Sequence, residues 1–538
     1  MNLKHLSINQ RHKMEKLSFS VGKLASLSEL DISKTNITSL PDSIGNAKHL
    51  SSLDLSYTSI MELPISIGEL TQLEFLSLHR CIGLRELPES IGNLTSLQKL
   101  YISETSIVEL PDSIKNLKQL RVMRMERSLT RKLPASIGML ERLEELNAQF
   151  CELLAGELPS EIGGLSSLRI LDISYTHVCA VPTTINSLTQ LQQLDLTYCN
   201  ELQELPKLPS SLNCLRVQST SLRLVPNLGN LTNLVELFLA NRLGRGLSWV
   251  SMPMQTRQLQ WVKKLYKLGK LSWDLFYVPI PLTDLACLAR LRELTLYGMG
   301  RFNSVVVGPQ FSNLKNLSSL CLDRSQPREI RLNGLELLRD LAVRKCMILE
   351  GLSVISSSLR KLRKMTVSGC PKLLEIRFLG AMESLERLDV ERCHSLGGLY
   401  GLSNAIKLKA LCFFWYTGLP VVEGLEELEL LNNLKLESCG SLEMLTNVSN
   451  SKIPNECKIY VSDCADLPDT KGREFDYEEY REMIFGGMRK TFNTEDVING
   501  SRCRRINDGD QQLLSSVAIG SPDFWHELGS RSKLLLLE

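Results

Sequence analysis

Leucine and other apolar residues recur along this chain in a fixed order. Clear examples are LPDSIGNAKHLSSLDLS from Leu40 and LPESIGNLTSLQKLYIS from Leu87. The Leu-x-Leu part of each stretch alternates apolar and polar residues, which is typical of a strand with one buried face. The proline of the Leu-Pro pair cannot donate to a strand ladder, so a strand cannot continue through it. Each stretch therefore predicts one short strand and a connection made of turns or short helical pieces.

The period of this pattern indicates the architecture. The Leu-Pro or Val-Pro prolines are Pro41, Pro64, Pro88, Pro111, Pro134, Pro159, Pro182 and Pro206, separated by 23, 24, 23, 23, 25, 23 and 24 residues. A period of about 20 to 29 residues is typical of leucine-rich repeats, whose stacked coils bury one continuous core. We predict an α/β leucine-rich-repeat solenoid, a horseshoe or arc with parallel strands on the concave face and loops or short helical turns on the convex face.

The central apolar residue of each predicted strand marks 20 coils. The markers are Leu6, Leu30, Leu53, Leu76, Leu100, Met123, Leu146, Leu171, Leu194, Leu215 and Leu237, then Leu271, Leu294, Leu320, Leu341, Met365, Leu388, Leu411, Leu434 and Ile459. Every spacing lies between 21 and 26 residues except the 34 from Leu237 to Leu271. We therefore predict a first array over 1–240, an irregular insertion over 241–266, a second array over 267–468 and a non-repeat C-terminal tail over 469–538.

A small polar residue follows the last apolar residue of most strands by three positions. This ladder site holds Thr35, Thr58, Cys81, Thr105, Ser128, Cys151, Thr176, Cys199, Thr220, Ser325, Cys346, Cys370, Cys393, Cys439 and Cys464. A buried bend leaves backbone groups unpaired, and a hydroxyl or thiol can satisfy them. The alternative is a metal site built from Cys346, Cys370 and Cys393. The lack of a Cys-x-x-Cys spacing, and the Thr and Ser found at the same site, favour the structural interpretation.

Composition excludes several functional classes. The net charge of +2 and pI of 7.8 provide no field that would favour nucleic acid or an anionic membrane. The chain has no run of 18 apolar residues and no signal-peptide pattern at its start, so we expect no membrane span and a cytoplasmic or nucleocytoplasmic location. Fifteen cysteines without a paired framework predict free thiols in a reducing compartment.

Motifs of catalysis and cofactor binding are missing from the sequence. It contains no GxxxxGK[ST], HExxH or GxSxG motif. Cys393 and His394 are adjacent, but the cysteine belongs to the ladder site, which favours a structural role over a nucleophilic pair. We predict that the chain is not an enzyme and has no cofactor, catalytic residue or metal site.

Binding residues are expected at strand positions that point away from the core. Aromatic residues and arginines are the usual anchors of protein interfaces. The candidate protein-binding residues are His79, Tyr101, Arg124, Glu126, Phe238, Tyr297, Arg344, Phe414 and Trp415. In the aromatic run around Phe414, the pattern makes Phe413 a core residue. The run then indicates either a wide coil with an overfilled core or an exposed hot spot for a partner.

Two long stretches carry a resemblance to a known family. LDISYTHVCAVPTTINSLTQLQQLDLTYCNELQELP and LERLDVERCHSLGGLYGLSNAIKLKAL resemble the repeat region of plant intracellular nucleotide-binding leucine-rich-repeat immune receptors of the Toll-type (TIR) class. The resemblance covers residues 1–468. It implies a non-catalytic module of innate immunity and defence signalling, which recognises a pathogen effector or a guarded host protein.

The chain departs from that family in one respect. It lacks the Toll-type and nucleotide-binding domains, and Met1 opens inside a coil. A solenoid needs a cover over its first strand. We therefore expect a missing or separate nucleotide-binding domain, a covering partner, or a truncated decoy or adaptor fragment.

Two other classes of protein use similar coils. Cytoplasmic scaffolds of a Ras-pathway type resemble the LPxxIGxLxxLxxLxL coils, but they typically carry asparagine at the ladder site, where this chain has Thr and Cys. Secreted or receptor-kinase ectodomains would favour a signal peptide, Ile-Pro turns and paired cap cysteines. The scaffold is therefore the stronger alternative.

Overall fold

The chain folds into two compact units, residues Met1–Gly300 and Arg301–Glu538. The structure, a computed structural model, describes residues 3–480 with the exception of 224, 242–255, 276–284, 286, 299–305, 308–310, 312–313, 333, 356, 358, 417–421, 440–450 and 465–473. The predicted insertion over 241–266 and tail over 469–538 therefore lie partly outside the described residues. Their boundaries remain predictions.

One main strand per coil forms the sheet of the first unit. The strands are His5–Ser7, Glu29–Asp31, Ser52–Asp54, Phe75–Ser77, Lys99–Tyr101, Val122–Arg124, Glu145–Asn147, Ile170–Asp172, Gln193–Leu196, Cys214–Gln218, Glu236–Asn241, Lys270–Leu275 and Glu293–Tyr297. Consecutive strands of this series pair in parallel with one another. The registers join the predicted markers directly, from Leu6 with Leu30 through to Leu271 with Leu294. The strand prediction is confirmed here coil by coil.

The second unit repeats this arrangement. Its main strands are Ser319–Asp323, Asp340–Arg344, Lys364–Ser368, Arg387–Glu391, Ala410–Tyr416, Asn433–Cys439 and Lys458–Ser462. They pair in parallel, and the markers from Leu320 to Ile459 again face one another and are buried. A short strand, Phe475–Asp476, pairs antiparallel with the last of them. The parallel-strand fold predicted from the period is therefore present in both units.

Short 3₁₀ helices form the connections of the first unit, as the Leu-Pro turns predict. They are Phe19–Lys23, Asp42–Asn46, Ile65–Glu69, Glu89–Asn93, Asp112–Asn116, Ala135–Met139, Ser160–Gly164, Thr183–Ser187 and Thr256–Lys264, and the second unit contains Leu402–Asn404 and Leu425–Glu427. In the coil of Pro41, the proline carbonyl oxygen accepts from the Ile44 N–H at 2.9 Å. Ile44 is then fully buried, because the 3₁₀ turn aims it at the core.

The glycine of the Ile-Gly pair allows neighbouring 3₁₀ helices to approach closely. A Cβ atom built at Gly138 would overlap the carbonyl oxygen of Glu161 in the next coil. Backbone contacts of this kind exclude a side chain unless the turn moves. In another coil the residue after the isoleucine is Lys115 instead of glycine, which shows that a turn can adjust to a side chain at this position.

A second sheet in the second unit corrects the prediction that only turns and short helical pieces follow the ladder site. Its parallel strands are Val306–Val307, Glu329–Leu332, Gly351–Ile355, Glu375–Leu379 and Gly398–Tyr400. The reason is the absence of proline. The sequence position that carries the Leu-Pro proline in the first unit carries other residues here, and they pair in register: Arg331, Ser353, Arg377 and Tyr400. Each of these residues has the N–H that proline lacks. In the first unit, Ala155–Glu157 and His177–Ala180 form a similar two-stranded pair.

The ladder site is buried as predicted, with one correction. Fourteen of the fifteen predicted residues are buried, and several of them donate to backbone carbonyl groups. Thr105 Oγ1 donates to the Ile102 oxygen at 2.7 Å, whereas Cys151 Sγ reaches back one coil to the Met125 oxygen at 3.0 Å. The prediction of Thr220 is wrong. Ser219 is the buried residue, and its hydroxyl donates to the Leu202 oxygen at 2.5 Å, because this coil turns one residue earlier, directly after the strand Cys214–Gln218.

None of the helices in the described part of the chain combines the length and apolar character that a membrane crossing requires.

Candidate recognition surface

Side chains that point away from the core form a continuous row across the strands of the first unit. This strand row consists of the residues that follow each marker, paired in register: Asp31, Asp54, Ser77, Tyr101, Arg124, Asn147, Asp172, Asp195, Arg216, Phe238, Ser272 and Thr295. It contains the predicted residues Tyr101, Arg124 and Phe238. A strand repeat of about 4.8 Å puts neighbours of the row in contact.

Tyr101 and Arg124 are brought together as neighbours in this row. The guanidinium carbon of Arg124 lies 5.2 Å from the Tyr101 ring centroid, and its Nε donates to Glu145 Oε1 at 2.8 Å. The hydrogen bond that Arg124 donates to Glu145 raises the pKa of Arg124, although partial burial opposes the shift. Tyr101 also meets Phe75 edge to face at 5.3 Å. The pair is therefore a preformed aromatic and guanidinium surface rather than two solvated side chains.

Three predicted residues lie two positions beyond the strand row: His79 and Glu126 follow their strands, and Tyr297 is the last residue of its strand. The His79 ring meets the Tyr57 ring edge to face at 5.2 Å. Glu126 accepts a hydrogen bond from the Ser103 hydroxyl. These three predicted residues are all partly exposed, as a binding residue must be, but they belong to separate coils.

The other three predicted residues belong to the second unit. Arg344 is exposed and pairs in register with Asp323 and Ser368. Phe414 is half-buried under the Lys435 ammonium group, which lies 5.4 Å from its ring centroid. Trp415 is 40 % exposed, and the Arg392 guanidinium carbon lies 4.5 Å from its ring. The neighbouring Phe413 is a core residue, as predicted.

Carboxylates of the strand row are held by local hydrogen bonds. Asp172 Oδ1 accepts from the N–H of Ser174 at 2.9 Å and from its hydroxyl at 2.6 Å, and Asp195 accepts from Thr197 in the same way. Burial raises the pKa of Asp172; the Ser174 hydrogen bonds lower it, whereas the neighbouring charge of Asp195 raises it. Arg216 lies 3.5 Å from Asp195 and donates to Glu236 at 2.9 Å. These turns fix the carboxylates in place.

The sequence patterns predict no role for the residue just before the ladder site. In most coils, however, this residue has a left-handed backbone. This left-handed column consists of Gln10, Lys34, Tyr57, Arg80, Glu104, Arg127, Phe150, Tyr175, Tyr198 and Gly298 in the first unit, and Arg324, Lys345, Gly369, Arg392, Trp415, Ser438 and Asp463 in the second, with φ between 50° and 64°. Non-glycine residues adopt this conformation rarely, and aromatic ones very rarely. A sequence signal exists, since the column always lies four residues after a marker.

Hydrogen bonds between coils offset the strain of the left-handed column. The N–H of Tyr57 donates to the His79 oxygen at 2.7 Å, and that of Tyr175 donates to the Thr197 oxygen at 2.7 Å. A left-handed residue destabilises the fold by about 1–2 kcal/mol, and one such hydrogen bond stabilises it by about 0.5–1.5 kcal/mol. Glycine would avoid the cost, but only Gly298 and Gly369 occupy this position in the described coils. The large side chains of the column therefore make it a candidate for function.

Three rings of the column stack on one another. The Phe150 and Tyr175 centroids are 4.1 Å apart with an angle of 19° between their planes, and those of Tyr175 and Tyr198 are 4.3 Å apart at 21°. The Arg127 guanidinium carbon covers Phe150 at 4.5 Å from its centroid. Burial raises the pKa of Tyr175, and Tyr198 and the charge of Asp195 raise it further. The aromatic stack, Phe150 with Tyr175 and Tyr198, therefore lies beside the carboxylates of the strand row.

The thiols of the ladder are unsuited to nucleophilic chemistry. Burial raises the pKa of Cys199 to about 11, and the hydrogen bond with Cys346 raises the pKa of Cys370 to about 12. A thiol is nucleophilic only as the thiolate. The described cysteines are all free, and no group of three or more His, Cys, Asp or Glu residues in the described part of the chain could hold a metal ion. Cys346, Cys370 and Cys393 each bond instead to backbone oxygens.

Comparison with solved structures relates the fold to known proteins. A leucine-rich-repeat protein of Leptospira interrogans has a TM-score of 0.56 and 25% identity, over 68% of this chain and 90% of that one. The functional domain of InlJ from Listeria monocytogenes, which includes a cysteine ladder, has a TM-score of 0.48 and 16% identity, over 69% and 75%. The leucine-rich-repeat ectodomain of the receptor kinase GASSHO1/SCHENGEN3 from Arabidopsis thaliana has 0.45 and 20%, over 86% and 64%.

Comparison by sequence gives the family. The search of curated protein sequences finds no match. The family description "leucine-rich repeat region" matches residues 1–84, 68–152 and 149–397, which together exceed half of the 538 residues. Repeat folds of this kind generally serve as non-catalytic scaffolds for protein interaction. With its parallel strands, apolar markers and polar ladder, this chain belongs to the leucine-rich-repeat family.

Proposed function

We propose that this chain is the recognition module of a plant intracellular immune receptor of the nucleotide-binding, TIR class. It binds a pathogen effector or a guarded host protein in the cytoplasm or nucleus, and a nucleotide-binding domain acts with it in defence signalling. The closest support in the sequence is the pair of long stretches that resemble such receptors, with Thr or Cys at the ladder site. Free thiols throughout the described chain fit a reducing compartment.

The preformed surface of the first unit is the observation that carries the binding proposal. Tyr101 already contacts both Phe75 and Arg124, and all three are partly exposed, so binding of a partner would cost little side-chain entropy at these residues. Tyrosine and arginine are also the residues that most often dominate the binding energy of an interface. A protein ligand is favoured over a small molecule, because the surface is a long row rather than an enclosed cavity.

Affinity purification from plant tissue tests this function. The full chain is expressed in leaves with and without a pathogen, and its co-purified proteins are quantified by mass spectrometry. A double variant, Tyr101→Ala with Arg124→Ala, should lose the specific partner at least tenfold, since two interface anchors are removed. The matched control, Lys115→Ala with Lys118→Ala, changes exposed residues around the 3₁₀ helix Asp112–Asn116 and should retain the partner.

The identity of the partner distinguishes the classes of function. A guarded host protein should be recovered from both tissues, whereas an effector should be recovered only from infected tissue. Recovery of Ras-family signalling proteins instead would replace the immune role with that of a cytoplasmic scaffold. Equal recovery of every protein by the double variant and the wild type would remove the proposed binding surface.

A further inference from the structure

The aromatic stack ends at Tyr198. One face of the Tyr198 ring lies against Tyr175. The stack does not continue into the next coil, because the residue four positions after the marker Leu215 is Ser219, which is small, fully buried and fills the ladder site. The end of the stack is thus an aromatic surface, partly exposed, at the edge of the strand row.

Guanidinium groups of the chain itself show what such rings accept. Arg127 lies over Phe150 at 4.5 Å, Arg80 over Tyr57 at 5.2 Å, and Arg392 over Trp415 at 4.5 Å. In each pair the arginine and the ring are column residues of adjacent coils. The geometry of the column therefore matches the stacking of arginine on an aromatic face, which is favourable by the attraction between a cation and the ring quadrupole.

The carboxylates beside the stack provide a negative field. Asp195 lies in the same coil as Tyr198, and Asp172 and Asn147 precede it in register along the strand row. Glu126 adds a further carboxylate, which contributes to the raised pKa of Asp172. Arg216 lies close to both Asp195 and Glu236, so its single positive charge does not neutralise the two carboxylates. The region therefore stays negative. This charge repels phosphate groups and favours a basic ligand.

We propose that this surface binds an arginine-containing basic segment of the protein partner. One guanidinium stacks on Tyr198 as the next member of the column, and its charge faces Asp195 and Asp172. The inference rests on the proposed function, since it names the chemistry of the ligand that the first unit recognises. Arginine is preferred to lysine because only the planar guanidinium can stack on the ring while it donates to a carboxylate at its edge.

Peptide binding to the full chain tests this inference. The probes are a fluorescein-labelled peptide of seven arginines and one of seven lysines, which carry equal charge, and binding is followed by fluorescence anisotropy. The wild type should bind the arginine peptide about threefold or more tightly than the lysine peptide. Tyr198→Asn should weaken arginine binding by about tenfold and remove the preference over lysine. Asparagine tolerates the left-handed backbone, so the coil is retained.

Two further variants separate charge from stacking. Asp172→Asn with Asp195→Asn keeps both turn acceptors and should weaken both peptides by about tenfold, with a flatter dependence on salt. Tyr57→Asn is the matched control from the same column, because Lys34 and Arg80 already lie over its ring; it should bind as the wild type does. If Tyr198→Asn lowers the thermal midpoint, Tyr198→Leu repeats the test with an apolar side chain.

The outcomes separate this inference from the proposed function. Unchanged arginine affinity in Tyr198→Asn or Tyr198→Leu, or equal losses in Tyr57→Asn, would overturn the inference. Equal affinity of the wild type for both peptides would overturn it as well, because charge alone would then explain binding. In each case, loss of the natural partner by the Tyr101 and Arg124 double variant would leave the proposed function standing.

Discussion

The Thr105 hydroxyl donates a hydrogen bond to the carbonyl oxygen of Ile102 at 2.7 Å, at a bend where both residues are buried. This bond shows why the ladder site requires a small donor: the bend removes a carbonyl group from the regular strand ladder and from water. An unsatisfied buried carbonyl costs about 1–3 kcal/mol. The same logic extends to the thiols, which reach the carbonyl groups of the preceding coil.

Substitution of Thr105 by valine tests the ladder bond at nearly constant volume. We expect Thr105→Val to lower the free energy of unfolding by about 1–3 kcal/mol, because the Ile102 oxygen loses the hydroxyl donor. Thr105→Ser keeps the donor and should cost less than half as much. Thr95→Val, at an exposed position, is the control for composition. Urea unfolding followed by circular dichroism measures all three, and equal stability of Thr105→Val and wild type would contradict this role.

Ionisation of the buried thiols predicts a loss of stability at high pH. The pKa of Cys199 is raised by burial from 9.0 to about 11, so the folded chain keeps a proton that the unfolded chain releases above pH 9. The resulting stabilisation is complete below pH 9 and is lost as the pH rises from 9 to 11. Over that range, Cys199→Thr should reduce the slope of unfolding free energy against pH by about 1 kcal/mol per unit. An identical slope in both proteins would show that Cys199 ionises normally.

The second sheet of the second unit depends on the N–H groups that replace proline. Arg377 lies in the central strand Glu375–Leu379, which pairs on both sides. We expect Arg377→Pro to destabilise the second unit by about 3 kcal/mol or more, and Arg377→Ala, which keeps the N–H, to cost far less. Hydrogen exchange should speed up in strands Gly351–Ile355 and Gly398–Tyr400 of the proline variant. Unchanged exchange there would mean that the second sheet does not need this donor.

Close packing of the 3₁₀ helices predicts that alanine destabilises the chain when it replaces a glycine in these turns but not when it replaces a glycine with open space around it. Gly138→Ala should lower the thermal midpoint, because the new Cβ atom would collide with the Glu161 carbonyl oxygen and shift one turn. Gly351→Ala is the control, since the nearest atom to its added Cβ is a side-chain carbon at 3.7 Å. Differential scanning calorimetry compares the variants. A Gly138→Ala midpoint equal to that of Gly351→Ala would show that the turns can move freely.

The strands and core could be predicted because the leucines recur once per coil and each coil adds one strand to the parallel sheet. Once Leu30 must face Leu53 in the core, the register follows without any long-range information. The second sheet was missed because the absence of a proline, as at Arg377, was not treated as a signal. Thr220 was misplaced because the ladder site was counted from the last apolar residue, whereas the chain turns one residue earlier at Ser219.

The recognition surface could be predicted only in part. Alternation along a strand places Tyr101 and Arg124 outside the core, but it does not show that they contact one another across coils. The left-handed column could not be predicted for a physical reason: local propensity disfavours that backbone for an aromatic residue such as Tyr175, and the hydrogen bond that offsets its cost comes from the next coil. Such a conformation becomes visible only when the coils are stacked.

The central claim is that the strand row of the first unit contacts the partner. Site-specific photo-crosslinking tests this claim most directly. A photoreactive phenylalanine analogue is placed at Gln149, between Asn147 of the strand row and Phe150 of the aromatic stack, and in a separate protein at Lys115 among the 3₁₀ helices. After irradiation in leaves, the partner lost by the Tyr101 and Arg124 double variant should form an adduct at position 149 and not at 115. Adducts at position 115 alone would contradict the account and place the partner on the opposite side of the coils.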